Sequence, residues 1–397
     1  MNQDPDRKSA PMTIGRKPGI KKKRFRDCIC VEMCYNFRNG GICLMQNKDQ
    51  IISSILAYNR ERYRPVEYPA LAAQTEEWQS SCPLNGVRIL DATPLYANTL
   101  MKYIPLLAAG AELTAATHDA IPHDPAMIEL LDRWGIPHVH NASGGEYDCI
   151  LDCGGVHAAL DPHYGFAELT RSGFYHYRSA RKPVILVDDS RIKTIETCLG
   201  TGEGFLRGMK QLGYTDFRGR KLVVFGYGKV GRGVAYYSVR EGAEVTAVDE
   251  PGTKVRPPVK LVSRHDRDAV VRSVREAWCV VTVTGIRNAM AGNGAAEELL
   301  KGKQLVAAMG VEDEWGDSLP PERILNRNVP LNFMLEEPTR LRYIDPTMAL
   351  SNGAVPELLK GSLPPGIQKI SPEIESHYWK IVERDGLIAD ELQGCGL

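Results

Sequence analysis

A glycine-rich turn between a predicted strand and a predicted helix is the feature that most restricts the fold of this chain. The apolar run Lys221–Phe225 is typical of a buried strand, and it leads directly into the turn. After the turn comes a stretch with helical periodicity, and then a second apolar run, Glu244–Val248, which ends at Asp249. Strand, glycine turn, helix, strand and acid together form one βαβ unit, so the sequence predicts a parallel sheet.

Each residue type in this turn suits the binding of a dinucleotide. Gly226 permits the tight turn, Gly228 lets the backbone approach a pyrophosphate, and Gly231 lets the helix pack closely on the strand. Asp249 follows about 20 residues later, where a carboxylate accepts ribose hydroxyls and repels a 2′-phosphate. We therefore predict NAD as cofactor; the alternative is a turn whose glycines are only structural. The predicted residues are Gly226, Tyr227, Gly228, Lys229, Val230, Gly231 and Asp249.

Short apolar runs alternate with helical stretches on both sides of the turn, which predicts an α/β fold. We expect two doubly wound parallel-sheet domains, one of them a Rossmann domain. Predicted helices upstream of the turn are Leu95–Ala109 and Met127–Trp134. The other predicted strands are Val87–Leu90, Glu112–Ala116, Cys149–Leu151, Val184–Val187, Cys279–Val283, Leu305–Ala308 and Val329–Phe333.

The same pattern suggests how the chain is divided. Residues 1–45 carry a basic run and four cysteines whose spacing fits no standard zinc pattern, so we expect a disordered leader. Residues 46–190 are expected to form a substrate-binding domain, to which the helices of residues 354–397 return. Residues 191–353 are expected to hold NAD.

Composition excludes several other functions. The chain has 49 Lys and Arg residues against 49 Asp and Glu residues, so no net field favours nucleic acid or an anionic membrane. No apolar run approaches the roughly 18 residues of a membrane span. Ten cysteines without a regular framework indicate reduced thiols. We expect a cytoplasmic protein that binds a small molecule, with no metal site, since the histidines show no metal-ligand spacing.

The cofactor region resembles the adenosylhomocysteinase family. Gly226–Gly233 is close to the family's G-Y-G-x-V-G-K-G, and Val187–Ser190 followed by Lys193 is similar to its V-N-D-S-x-x-K. Val283–Gly285 is similar to the family's T-T-G turn at the nicotinamide, and Leu350–Asn352 to its L-V-N. With the fainter matches upstream, the resemblance extends from Asn85 to about Gly353.

The upstream matches occur in the same order as in the family. Gly110–Leu113 resembles its G-A-E-V, Leu151–Gly155 its L-D-D-G-G, and Gly165–Gly173 its G-I-S-E-E-T-T-T-G. The resemblance implies further contacts to NAD from Thr170, Ser172, Thr197, Thr284, Gly285 and Asn352.

The resemblance also implies a catalytic set. The family oxidises a nucleoside 3′-hydroxyl by hydride transfer to NAD, eliminates and adds at the acidified neighbouring position, and then returns the hydride. Lys193 matches the family's catalytic lysine, which acts as a base where its pKa is lowered. Glu196 lies near the family's following Asp, and Asp152 matches the first of its paired acids. The alternatives are a solvated lysine, a surface acid and a structural turn residue.

Departures from the family are concentrated on the substrate side. Cys153 and Leu169 replace the second acid of two pairs; Cys153 is more often a buried small residue than a nucleophile. Either Pro94 and Tyr96, or Asp91 and Thr93, stand in place of the substrate-binding His and Thr. Val311 or Glu312 stands in place of a late His. The chain ends at Leu392–Leu397 without the terminal Lys and Tyr through which family members reach a neighbour's cofactor, although a homo-oligomer remains compatible with the resemblance.

Three functions follow from these observations. The first is an NAD-dependent hydrolase acting on a nucleoside-type thioether or related polar substrate through transient hydride transfer. The second is a net NAD-dependent oxidoreductase acting on another small hydroxy compound. The third is a catalytically silent NAD-binding regulator. Lys193 and Asp152 favour an enzyme, whereas Pro94, Leu169 and Val311 favour the silent protein.

Overall fold

Two parallel β-sheets organise the computed structural model, which describes residues 41–397, with side chains from residue 47 onward. The leader predicted for residues 1–45 lies outside these described side chains. From Cys43 to Leu397 the chain forms one compact unit. Its strands are β1 (Arg88–Asp91), β2 (Glu112–Thr117), β3 (His138–His140), β4 (Cys149–Asp152), β5 (Gly165–Glu168), β6 (Pro183–Leu186), β7 (Lys221–Phe225), β8 (Glu244–Asp249), β9 (Lys260–Ser263), β10 (Cys279–Thr282), β11 (Leu305–Ala308) and β12 (Gly366–Lys369).

The first sheet has seven strands in the order β12-β6-β5-β4-β1-β2-β3. All of its pairs are parallel; for example, Asp91 is opposite Leu151, and Asp152 is opposite Glu168. The order reverses between β1 and β4, and ligands of open α/β sheets bind outside the carboxyl ends of the strands at such a point.

The second sheet has five parallel strands in the order β11-β10-β7-β8-β9. Its order reverses between β7 and β10, so the glycine turn after β7 lies at the second switch point. This is the Rossmann arrangement. The predicted fold class, two doubly wound parallel sheets of which one is a Rossmann sheet, is confirmed.

Helices cover both sheets. They are α1 (Gly41–Asn59), α2 (Pro69–Ser81), α3 (Ala97–Ala108), α4 (Pro125–Trp134), α5 (Arg191–Thr194), α6 (Thr201–Gln211), α7 (Lys229–Arg240), α8 (Arg267–Glu276), α9 (Ala295–Lys301), α10 (Leu341–Leu359), α11 (Pro372–Asp385) and α12 (Ala389–Cys395). A π-helical turn, Ile195–Gly200, joins α5 to α6. None of the helices among the described residues is long and apolar enough to span a bilayer.

Successive residues of the central strands pack on opposite faces of the first sheet. Ile89, Cys149 and Leu151 belong to the large core formed with the helices, whereas Leu90 and Ile150 pack with Phe166 and Tyr177 on the other face. The same alternation continues beyond the strand ends. It therefore separates the polar side chains at the carboxyl edge into two groups, one on each face.

The strand predicted at Val329–Phe333 is wrong. Residues 331–333 of this segment belong to a short 3₁₀ turn, Leu331–Met334, which Pro330 precedes. A proline lacks the N–H that a sheet ladder needs, so the apolar run packs without pairing. The prediction also missed β12, which pairs with β6 and so brings the region after α10 back to the first sheet.

Candidate active site

The structure divides the three glycines of the turn into two kinds. Gly226 has a φ of +94°, and a Cβ there would lie 2.6 Å from the carbonyl oxygen of Val283. A Cβ on Gly231 would lie 2.0 Å from the carbonyl oxygen of Gly226, so both positions require glycine for the fold itself. A Cβ on Gly228 would meet nothing within 4 Å among the described residues. Gly228 is thus the one whose missing side chain leaves room for a ligand.

A cleft of about 500 Å³ opens at this turn. Asp249 lies at the end of β8, and its carboxylate accepts the backbone N–H groups of Tyr227 and Glu250. Thr284 lines the opposite side of the cleft, after β10. An open glycine at a helix N-terminus, an acid at the end of the next strand and a cleft between them fit a dinucleotide.

Gly285, beside Thr284, is held by a residue that the sequence did not single out. The Gly285 N–H donates to Glu314 Oε1 at 2.7 Å. Glu314 is buried, and burial raises the pKa of its carboxyl. The two residues considered for the family's late His are Val311, which is 74% exposed, and Glu312, which is also exposed. The positions predicted from the resemblance therefore lie two or three residues before the buried acid, Glu314.

Lys193 and Glu196 form a buried ion pair at the carboxyl edge of the first sheet. The Ser190 hydroxyl caps α5 by accepting the Lys193 N–H at 3.0 Å, and Lys193 Nζ donates to Glu196 Oε1 at 2.7 Å. Glu196 Oε2 is also buried, and no donor among the described residues reaches it. The pair therefore presents one free carboxylate oxygen beside a cation.

The charge state of Lys193 follows from this pairing. Burial by itself lowers the pKa of Lys193, but the Glu196 carboxylate, assisted by Asp188 and Cys153, outweighs burial and leaves the pKa raised. A lysine acts as a base where its pKa is lowered, and Lys193 does not meet this condition in the free protein. Lys193 is an ammonium group there, and Glu196 is its counter-ion.

Lys229 connects this pair to the glycine turn. Its Nζ donates to the backbone oxygen of Asp188 at 3.1 Å and lies 3.9 Å from Asp188 Oδ2. Because Lys229 is the first residue of α7 and Asp188 precedes α5, this contact links the predicted cofactor loop to the segment that carries Lys193. Val230, the next residue of α7, packs partly buried against the core. Thr197, on the π-helical turn, donates its hydroxyl to the Lys193 carbonyl at 2.9 Å.

A second buried ion pair, which the sequence did not predict, lies on the same face of the sheet. Lys102 of α3 is fully buried; its Nζ contacts Asp91 and donates to the Thr93 hydroxyl at 2.8 Å. Burial lowers the pKa of Lys102, against the opposing charge of Asp91. Burial, and then the charge of Glu168, raise the pKa of the buried Cys153 thiol, which lies near both Lys102 and Lys193.

The Lys102–Asp91 pair concerns the two alternative alignments for the family's substrate-binding His and Thr, which place there either Asp91 and Thr93 or Pro94 and Tyr96. Asp91 and Thr93 sit at the end of β1 with their side chains buried beside the site. The Pro94 carbonyl accepts the Thr99 hydroxyl, and the Tyr96 N–H at the start of α3 donates to the Thr99 oxygen at 3.2 Å. The signal that would have revealed the pair is a lysine within the otherwise apolar face of α3.

Asp152 is placed on the other face and is saturated by local donors. Its Oδ1 accepts the Cys153 N–H at 2.9 Å and faces His157 Nδ1 at 3.1 Å. Its Oδ2 accepts the His157 N–H at 3.0 Å and the Tyr177 hydroxyl at 2.6 Å. Four partners leave no free lone pair for a substrate hydroxyl, so this geometry corresponds to the structural alternative and we do not retain Asp152 among the proposed catalytic residues.

Glu168 anchors the loop that carries two predicted cofactor contacts. Its carboxylate accepts the backbone N–H groups of Gly154, Gly155 and Thr170, and the Thr170 hydroxyl at 2.6 Å. Thr170 and Ser172 share a 3.1 Å hydrogen bond, with Ser172 exposed at the surface. Burial, and then the charge of Asp152, raise the pKa of Glu168 to about 7.

The side-chain amide of Asn352 bonds to two neighbouring helices. It is fully buried within α10, and its amide donates to Gln74 Oε1 at 3.0 Å and to the Lys102 carbonyl at 3.1 Å. Its donors are therefore used between helices of the first sheet, because the segment matched to the family's L-V-N is the interior of a helix here. Its Oδ1 is buried without a partner among the described residues, so a contact from Asn352 to the cofactor stays a prediction.

The raised pKa of Glu168 leads to a prediction about stability. A carboxyl whose folded pKa lies above its unfolded value stabilises the fold at low pH, and that contribution is lost as pH rises through the folded pKa. For Glu168 the window runs from its ordinary pKa of 4.5 to about 7. We expect the melting temperature of wild type, relative to that of Glu168→Gln, to fall between pH 5 and pH 8, because glutamine does not ionise.

The control for this prediction is Glu146→Gln. Glu146 is exposed and pairs with Arg88 at the surface, so its removal should leave the pH profile of the melting temperature parallel to that of wild type. Parallel profiles for Glu168→Gln and wild type would contradict a raised pKa at Glu168.

Comparison with known proteins finds relatives of low sequence identity. No protein-family model matches the chain. The chain is 27% identical over 251 residues to the adenosylhomocysteinase of Pyrococcus abyssi, covering 55% of this chain and 58% of that protein. It is 24% identical over 305 residues to the adenosylhomocysteinase of Thermoplasma acidophilum, covering 69% and 73% respectively. It is 26% identical over 258 residues to the S-inosyl-L-homocysteine hydrolase of Methanopyrus kandleri, covering 56% and 59%.

Solved structures show more distant likenesses. A dipicolinate synthase chain of Bacillus halodurans matches 70% of this chain and 99% of its own length, with a TM-score of 0.46 and 13% identity. A 2-hydroxyacid dehydrogenase of Ketogulonicigenium vulgare matches 72% of this chain and all of its own, with a TM-score of 0.41 and 13% identity.

Fold and site together define an α/β protein with two doubly wound sheets, the second of them a Rossmann sheet with an open glycine turn. In sequence the chain is similar to adenosylhomocysteinases at 24–27% identity. The match spans somewhat more than half the length of the Pyrococcus relative.

Proposed function

We propose that this protein is an NAD-dependent enzyme that transiently oxidises a hydroxyl of a nucleoside-type thioether or a related small polar substrate. In this proposal residues 46–190 bind the substrate, with the region from residue 354 returning to them, and residues 191–353 hold NAD. The observation that carries it is the buried Lys193–Glu196 pair, linked through Asp188 and Lys229 to the glycine turn. A catalytically silent regulator would not require a buried ion pair with an unpartnered carboxylate oxygen at the carboxyl edge of the first sheet.

Each side chain has a role in this proposal. Bound NAD would supply the acceptor, and later the donor, of a hydride. Glu196 Oε2, which lacks a partner among the described residues, accepts the proton of the reacting hydroxyl when the carbon would lose its hydride, and gives that proton back when the hydride would return. Lys193, held as a cation by Glu196, stabilises the negative charge that grows on the hydroxyl oxygen and exchanges a proton with Glu196. The open Gly228 allows the pyrophosphate to approach the backbone.

The substrate pocket differs from what the paired acids of the family would supply. Because Asp152 is saturated, it cannot also hold ribose hydroxyls. The polar groups on the face of Lys193 are Asp91, Lys102 and Cys153 instead. Two relatives, named for an adenosyl and an inosyl substrate, suggest that the nucleoside base is a variable part of the substrate.

The Lys193–Glu196 pair also favours a second candidate function, a net oxidoreductase acting on another small hydroxy compound. The Lys193–Glu196 pair, which serves the redox step, is present, whereas Asp152 and the amide nitrogen of Asn352 are committed to internal hydrogen bonds. An enzyme that only oxidises needs the first and can dispense with ribose contacts. In that case NADH would accumulate as a product.

Product analysis distinguishes the two candidates. Purified protein loaded with NAD is mixed separately with S-adenosylhomocysteine and S-inosylhomocysteine, and homocysteine and nucleoside are quantified. Release of both products from either compound, lost in Lys193→Ala, supports the hydrolase. If neither compound is cleaved while NAD is bound, the thioether hydrolase is wrong, and other hydroxy compounds are then assayed for NADH formation.

A further inference from the structure

Arg264, His265 and Arg267 line the cofactor cleft, and the first two lie beside Asp249, the acid expected at the ribose. Arg264 and His265 follow directly after β9, and both line the cleft together with Asp249. The Arg264 N–H donates to the Asp249 carbonyl at 2.9 Å, which fixes this segment against the end of β8. A guanidinium and an imidazole are groups that bind a phosphate, and an Arg near this position accommodates the 2′-phosphate of NADP in Rossmann domains.

The Glu250 carboxylate pairs with both Arg264 and His265. Its Oε1 lies 3.3 Å from Arg264 Nη1, and its Oε2 lies 2.9 Å from His265 Nε2. All three side chains are about half exposed, so the pairs add little to the stability of the fold. Their effect is on the local charge and on the donors that remain available to a ligand.

The side chains of Asp249 and Glu250 make different kinds of contact, although the two residues are neighbours in sequence. Both oxygens of Asp249 accept backbone N–H groups, one of them from Tyr227 in the glycine turn, so Asp249 also holds the turn in shape. The Glu250 side chain pairs with Arg264 and His265 alone among the described residues. It can therefore be changed without disturbing the turn.

We propose that Glu250 is a second determinant of dinucleotide selectivity, which keeps Arg264 and His265 from binding a 2′-phosphate. This inference rests on the proposed function, since it takes the cleft to hold the adenosine end of NAD. Removing the Glu250 carboxylate frees two phosphate-binding donors and removes one repelling charge. Asp249 remains and still accepts the ribose hydroxyls of NAD, so NAD affinity should change little.

Calorimetric titration of the full-length protein with NAD and with NADP tests this inference. We expect Glu250→Gln to lower the Kd for NADP by about tenfold, the effect of one gained charged hydrogen bond, with the Kd for NAD within about threefold of wild type. The double variant Glu250→Gln/Arg264→Ala should lose most of the gain. The matched control is Glu276→Gln, which removes the same charge from an exposed pair with Lys221 at the opposite edge of the sheet.

Each outcome has a distinct meaning. A ratio of the two Kd values that is unchanged in Glu250→Gln, or that shifts equally in Glu276→Gln, overturns the role of Glu250 while leaving NAD binding intact. Failure of wild type to bind either dinucleotide overturns the proposed function, and this inference with it.

Discussion

The Gly228→Ala variant is expected to fold like wild type and to bind NAD about 100-fold more weakly, a loss of about 2.7 kcal/mol. Gly228 has a φ of −71°, which alanine adopts without strain. The added methyl group would meet no atom of the described residues within 4 Å, so the free protein has room for it. It would project into the cleft at the point where the backbone must approach the pyrophosphate. Calorimetric titration and thermal unfolding measure the two effects separately.

Two other glycines serve as controls for this variant. Gly144 lies in a loop outside the site and also has open space around its Cβ, so Gly144→Ala should change neither melting temperature nor NAD affinity. Gly231→Ala would place its methyl group 2.0 Å from the Gly226 carbonyl oxygen, and it should lower the melting temperature. Wild-type affinity of Gly228→Ala for NAD would show that the dinucleotide does not bind at this turn.

The Lys193→Ala variant is expected to lose about 10²- to 10⁴-fold in kcat, the range found when a group that transfers protons is removed. It should also be less stable, because Glu196 would be left as a buried charge without a partner, at a cost of about 3–5 kcal/mol. Activity must therefore be measured at a temperature where circular dichroism shows the variant to be folded. Its affinity for NAD should stay near that of wild type.

A neutral pair separates the chemical from the structural contribution. Lys193→Met/Glu196→Gln removes both charges and fills a similar volume, so it should recover most of the lost stability. It should remain inactive, since neither side chain then exchanges a proton. Recovery of turnover together with stability would mean that the pair only supports the fold, and it would remove Lys193 and Glu196 from the mechanism.

The fold could be predicted because its local signals agree with one another. The segments Lys221–Phe225 and Glu244–Asp249 are bounded by glycines and an acid, and each is a strand in the structure. The strand predicted at Val329–Phe333 had only apolar composition in its favour, which does not distinguish a strand from a packed turn. The strand Gly366–Lys369 was missed because two prolines precede it and its own residues are mostly polar.

The candidate site could be predicted only where a motif is contiguous in sequence. Lys193 and Glu196 lie three residues apart and pair within one turn, so the sequence could bring them together. Lys102 reaches Asp91 only because α3 packs over β1, and that contact depends on tertiary structure. The saturation of Asp152 depends on Tyr177, 25 residues away, and no local pattern could reveal that its lone pairs were already used.

Rapid mixing of NAD-loaded protein with S-adenosylhomocysteine, followed by absorbance at the NADH band, tests the central claim most directly. The proposed transient oxidation predicts that the NADH signal rises within a turnover and returns to its starting value when the substrate is consumed. Lys193→Ala should show no rise. Stoichiometric accumulation of NADH would contradict the closed cycle and favour a net oxidoreductase, and cleavage without any NADH signal would contradict a redox role for the cofactor.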